Sequence, residues 1–183
     1  MPDTGLAEGF LATARTLLPE DPSICDQASL RRAISSSYYA LFHALARAFA
    51  NAIVGEDEGR PRKAWVEVYR GVDHGACKEA CKKASEVDFP QPIQHVADAF
   101  QQLMLARQSA DYDPVERFDA AGTLQYVSLA ESAIAALQEA EKPDIVAFAA
   151  WVLITSRGSK EARAKVRPSA RRAGHNGERS VAD

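Results

Sequence analysis

The stretch Leu30-Arg31-Arg32-Ala33-Ile34-Ser35-Ser36-Ser37-Tyr38-Tyr39-Ala40-Leu41-Phe42-His43-Ala44 decides the fold. Leu30, Ile34, Tyr38, Leu41 and Phe42, continued by Leu45, Phe49 and Ile53, recur with a period of 3.6. That spacing predicts one long amphipathic helix, ending near Gly55. A second line, Arg31, Ser35, Tyr39, His43 and Arg47, runs along the border of this stripe at steps of four. Side chains four apart stand one above another on a helix. The ridge therefore stacks a cation, a hydroxyl, a phenol, an imidazole and a second cation beside the core. An ordinary amphipathic boundary has the same pattern, with Tyr39 and His43 burying their rings and hydrogen-bonding outward.

Helical signals continue on both sides of it. Leu6, Phe10, Leu11, Ala14, Leu17 and Leu18 share one face and stop at Pro19. Residues 62–89 predict one or two short helices, broken between Gly71 and Gly75. Pro90 and Pro92 open a helix carrying Ile93, Val96, Ala97, Phe100, Leu103 and Met104, which Pro114 ends. Asp119 is a natural N-cap for a helix bearing Leu124, Val127, Leu129, Ile134 and Leu137. Pro143 starts the last helix, 143–155. No sustained two-residue alternation, hairpin signal or internal repeat is present. The expectation is all-α: an antiparallel bundle of about five principal helices over residues 1–155.

Charge divides the chain unevenly. The net charge is -3, but residues 156–183 hold eight of the 22 Lys and Arg and only three of the 25 Asp and Glu. This segment, rich in Gly, Ser, Arg and Lys, has almost no apolar periodicity and is expected to be a disordered basic tail. The remaining body is acidic, which argues against polyanion binding over the whole domain. No apolar run reaches the length of a membrane span. The opening residues lack a basic stretch followed by an apolar core, and three cysteines, Cys25, Cys77 and Cys81, do not make a disulfide framework. The expected compartment is the cytoplasm.

Two further places carry chemistry. Arg107 and Asp111 continue the inward line of Phe100, Leu103 and Met104 on the Pro90 helix. They form either a plain (i, i+4) ion pair or a polar cluster at the bundle mouth, with Arg107 held by Asp111 and offering a planar fork to phosphate. His74, Cys77 and Cys81 fall on one helical face, a spacing able to hold zinc, but no fourth ligand is near and Lys78, Lys82 and Lys83 crowd them. The reading there is one exposed His and two half-buried thiols, with no metal. There is no phosphate-cradling loop, dinucleotide fingerprint, zinc-protease motif or nucleophile elbow, so no cofactor is expected. The ten apolar residues from Ile145 to Ile154 need covering on two faces, which favours a dimer or, less so, docking on a membrane surface.

The stretch from Leu30 to Ala44, together with Arg107-Gln108-Ser109-Ala110-Asp111-Tyr112-Asp113-Pro114, resembles HEPN-domain proteins over roughly residues 5–140. The likeness lies in the Tyr-Tyr-Ala-x-Phe-His-Ala helix and the later Arg-x-x-Ala-Asp-Tyr-Asp segment. It implies a four- to five-helix bundle, commonly a homodimer, often paired with a minimal nucleotidyltransferase in a toxin–antitoxin or defence system. Many such proteins are metal-independent ribonucleases that use an Arg followed, after four to six residues, by a His. Arg107 matches that Arg. The following positions are Tyr112, Asp113 and Pro114, so the His is missing. Neither a phenol nor a carboxylate replaces an imidazole readily near neutral pH.

Three functions follow as expectations. The first is a non-catalytic binding module for nucleotide or RNA phosphate or for a nucleotidyltransferase, with Arg31, Ser35, Tyr39, His43, Arg107 and Asp111 as its ligand-binding residues. The second is a ribonuclease in which His43 assists Arg107. The third is a structural partner whose ridge only holds the bundle together. By analogy with related pairs, Tyr112 is a candidate for modification by a nucleotidyltransferase.

Overall fold

A computed structural model describes residues 5–21 and 26–154. The tail expected at 156–183, and Cys25, lie outside the described residues. Among the described residues seven α-helices follow one another: α1 (Leu6–Thr16), α2 (Gln27–Val54), α3 (Arg62–Arg70), α4 (His74–Lys82), α5 (Gln91–Tyr112), α6 (Ala120–Glu139) and α7 (Lys142–Leu153). A 3-10 turn, Ala84–Glu86, joins α4 to α5, and no strand occurs among the described residues. Residues 62–89, expected to form one or two short helices, thus form two and a turn. No described helix is long and apolar enough to cross a membrane.

Local chemistry sets the helix boundaries. Asp26, Asp73 and Asp119 cap α2, α4 and α6 by accepting from backbone N–H groups of the first turn. Gly55 ends α2 at φ +107°, a conformation that costs a residue with Cβ. Pro90 and Pro92 start α5, and Asp113, before Pro114, ends it in an extended conformation while accepting from Val115 N at 2.8 Å.

α2 is the central rod, packed against α1, α3, α5, α6 and α7. Its directions relative to its neighbours follow from paired residues. Phe10 of α1 meets His43 while Glu8 meets Arg47, so α1 runs antiparallel to α2. Asp111 meets Ser35 while Arg107 meets Tyr39, so α5 is antiparallel as well. Tyr38, Leu41, Leu45 and Phe49 of α2 are fully buried with Val96, Phe100 and Leu103 of α5 and Val127 and Ala130 of α6. Each large apolar side chain so buried stabilises the fold by about 1.5–3 kcal/mol relative to exposure.

Expectations about two apolar residues change. Ile53, counted at the end of the α2 stripe, is 46% exposed. Leu124, counted on the inner face of α6, is 52% exposed; Thr123 is buried in its place and its hydroxyl donates to Asp119 O at 2.8 Å. On α7, Phe148, Ala149 and Val152 are buried, and Phe148 packs edge-on against Phe49 and Phe89. Val146 (38% exposed) and Ala147 lie on the open side. One face of this apolar helix is therefore covered within the chain.

Candidate functional site

The antiparallel packing of α2 and α5 puts two ladders of polar residues face to face. One turn along α2, from Ser35 to Tyr39, answers one turn back along α5, from Asp111 to Arg107. Ser35 Oγ donates to Asp111 Oδ1. Asp111 Oδ2 lies 2.7 Å from Arg107 Nε, an ion pair in which the N–H is not aimed along the contact. Arg107 Nη2 donates to the Tyr39 hydroxyl at 3.0 Å. Asp111 and Arg107 are only 16% and 20% exposed, so water screens this pair far less than a surface pair.

Three phenol rings surround the guanidinium. Arg107 Cζ lies 5.8 Å from the ring centre of Tyr38, 5.4 Å from that of Tyr39 and 5.6 Å from that of Tyr112. Cation–π attraction and the carboxylate fix its plane. Burial alone would lower the Arg107 pKa, but Tyr39, Asp111 and Tyr112 outweigh it and raise it, so the group stays charged. Nη1 has no hydrogen-bond partner among the described residues and is not sealed from solvent. Tyr112 is 72% exposed.

The ridge on α2 divides into three parts. Its middle, Ser35, Tyr39 and His43, belongs to the cluster. His43 continues it away from α5: its Nδ1 sits 2.7 Å from the Tyr69 hydroxyl of α3, and its ring lies parallel to Phe10 of α1, with centres 5.3 Å apart. Arg31, at one end, is taken up elsewhere. Its Nη1 donates to Ala110 O at 2.7 Å and its Nη2 to Glu116 O at 2.6 Å, while Phe118 lies under the guanidinium. Arg31 thus satisfies a carbonyl in the last turn of α5, of the kind a helix leaves bare, and one in the segment that follows it. Arg47, at the other end, makes a two-pronged pair with Glu8, at 2.6 and 3.0 Å.

A second imidazole joins this site, one that the sequence reading assigned to a different place. His74, the first residue of α4, lies over Phe42 with ring centres 3.9 Å apart, and its Nδ1 is 2.6 Å from the Tyr38 hydroxyl. It is half-buried rather than exposed, while Cys77 and Cys81 are fully buried rather than half-buried. Among the described residues no group of three metal-binding side chains comes together. The available signal was Tyr38: a phenol in the middle of a core stripe needs a polar partner somewhere.

Both imidazoles titrate below the usual histidine value. Burial lowers His43, and His74 nearby lowers it further. Burial and then Arg107 lower His74, against a smaller opposing pull from Asp73. The site at neutral pH is one compensated Arg–Asp pair, two uncharged imidazoles and several phenols. Such a cluster offers directed donors and aromatic rings rather than excess charge. No family model, curated protein or solved structure matches the chain.

Proposed function

We propose that this chain is a HEPN-like binding module whose polar cluster between α2 and α5 receives a phosphate group of a nucleotide or an RNA end. The observation that carries the reading is the state of Arg107. Its plane is fixed by Asp111 and the rings of Tyr38, Tyr39 and Tyr112, yet Nη1 has no hydrogen-bond partner among the described residues. A guanidinium held in this way loses little rotamer freedom when it takes an oxyanion. Tyr39, Phe10 and His43 put three rings together beside it, side chains of the kind on which a base stacks. The resemblance to HEPN proteins supports a homodimer and a minimal nucleotidyltransferase as partner in a toxin–antitoxin or defence pair. The exposed Tyr112, beside Arg107, is the residue such an enzyme would modify.

The test is thermal. Adenosine 5′-monophosphate at about 100 times its Kd stabilises a folded protein by about 2.7 kcal/mol. At this chain length that raises Tm by roughly 5–10 °C. The rise disappears in Arg107→Gln and survives in Arg47→Gln. An unchanged Tm in the wild type at millimolar nucleotide and millimolar inorganic phosphate refutes the reading.

A metal-independent ribonuclease is the second reading. It is favoured by an uncharged imidazole, His74, close enough to Arg107 to feel its charge, with uncharged His43 beside His74. Cleavage of a labelled RNA without divalent cation, lost in both His43→Ala and Arg107→Ala, would establish it.

A further inference from the structure

Tyr38 is wholly buried, and its hydroxyl has one partner among the described residues, His74 Nδ1. Two arrangements of the protons are conceivable. If Nδ1 carried the proton and gave it to the phenol oxygen, the phenol's own O–H would be left buried without an acceptor. That omission costs about 1–3 kcal/mol. If the phenol donates to a bare Nδ1, both groups are satisfied. Burial also pushes the Tyr38 pKa far above its ordinary value, so the phenol keeps its proton to give. A neutral imidazole with Nδ1 bare carries its proton on Nε2.

That second nitrogen has no hydrogen-bond partner among the described residues and is not sealed from solvent. The ring that bears it flanks the same two phenols as Arg107. His74 lies 5.7 Å from the Tyr38 ring and 6.4 Å from the Tyr39 ring, centre to centre. The charged and titratable groups facing it are Arg107 from α5, Tyr38, Tyr39 and His43 from α2, and Asp73 at the start of its own helix. Both Arg107 Nη1 and His74 Nε2 are therefore unused donors around one pair of phenols.

We infer that His74 is a second ligand-binding residue of this cluster, giving its Nε2–H to an oxygen of the phosphate held by Arg107, with Tyr38 as the positioning residue that fixes its tautomer. The inference rests on the phosphate reading for the ligand, but not for the tautomer. A donor of this kind works without a net charge. It also cannot take a proton at Nε2 while Tyr38 occupies Nδ1, so His74 binds in this tautomer rather than serving as a general base there.

Two measurements on the full chain test it. Long-range proton–nitrogen NMR of uniformly 15N-labelled protein at pH 7.5 reads the tautomer. Wild type is expected to show His74 protonated on Nε2, and Tyr38→Phe to show a mixture of both tautomers. Calorimetric titration with inorganic phosphate and with adenosine 5′-monophosphate reads the ligand. His74→Ala is expected to weaken both by roughly tenfold. His74→Gln, whose amide nitrogen can reach the place of Nε2, is expected to stay within about threefold of wild type. A His74 protonated on Nδ1 overturns the inference whatever binds. Wild-type affinity in His74→Ala, with binding lost in Arg107→Gln, overturns the role of His74 and leaves the phosphate reading standing. No binding of either probe by the wild type overturns both.

Discussion

The middle turns of α2 and its outer turns carry similar side chains and do different things. Arg31 and Arg47 stand on one ridge with Ser35, Tyr39 and His43, at the same spacing. Arg31 gives its guanidinium to carbonyls at the end of α5, and Arg47 gives its own to Glu8. The cation of the cluster comes instead from α5. Arg107 is anchored on one side and has a nitrogen to spare, whereas Arg31 is used on both terminal nitrogens. An arginine locked into carbonyls is a fastener. One that is held by a carboxylate and left open on its outer edge is able to receive a ligand.

That contrast can be broken experimentally, beginning where the effect should be greatest. Asp111→Ala leaves Arg107 half-buried without its counter-charge and Ser35 without its acceptor. Chemical denaturation is expected to read a loss of about 2–4 kcal/mol, and nucleotide stabilisation should fall with it. A loss below 1 kcal/mol would place the pair among ordinary surface pairs. Arg31→Met removes a charged donor from two strong backbone contacts and should cost about 1.5–3 kcal/mol. It is expected to leave phosphate affinity within about threefold, because Arg31 faces the α5 end rather than the open edge of Arg107. A selective loss of binding in Arg31→Met, with stability intact, would reverse the roles given to the two arginines.

Acid should separate the middle from the ends as well. His43 and His74 have folded pKa values below the unfolded value of about 6.5. Between those values the unfolded chain binds more protons than the folded one, so stability rises with pH across that window. The contribution is complete above pH 6.5 and is lost as pH falls through the folded pKa values. Melting curves from pH 7.5 to 5 should show a falling Tm, with a shallower slope in His43→Gln/His74→Gln. An identical slope in the double variant would mean that other groups govern the acid response. The smallest effect belongs to Glu8→Ala at the outer end of α2. Glu8 is 57% exposed, and its loss is expected to cost less than about 1 kcal/mol.

Part of the site was readable in the sequence because it repeats with the helix. Ser35 to Tyr39 and Arg107 to Asp111 are single turns, and side chains one turn apart must share a face. Their pairing across α2 and α5 needed only that the helices run antiparallel. Leu124 resisted this reasoning: an apolar residue at a plausible spacing was left outside because Thr123 back-bonds to Asp119 and takes the inner place. His74 resisted it more fully. Its spacing with Cys77 and Cys81 left it as an exposed residue with no assigned partner, while its actual partners are Phe42 and Tyr38, more than thirty positions away.

Local chemistry alone settled that this chain is helical, and where most helices start and stop. Hydrophobic period, aspartate caps and proline breaks act over a single turn and need no distant partner. The turn-to-turn ladder on α2 was fixed at the same level, as was the Arg107–Asp111 step on α5. Only the tertiary structure decided which arginine is saturated and which keeps a nitrogen without a partner among the described residues, and that His74 joins the cluster. Those outcomes depend on how α3, α4 and the segment after α5 fold back across α2. Long-range packing sets that arrangement, and the periodicity of one helix holds no information about it.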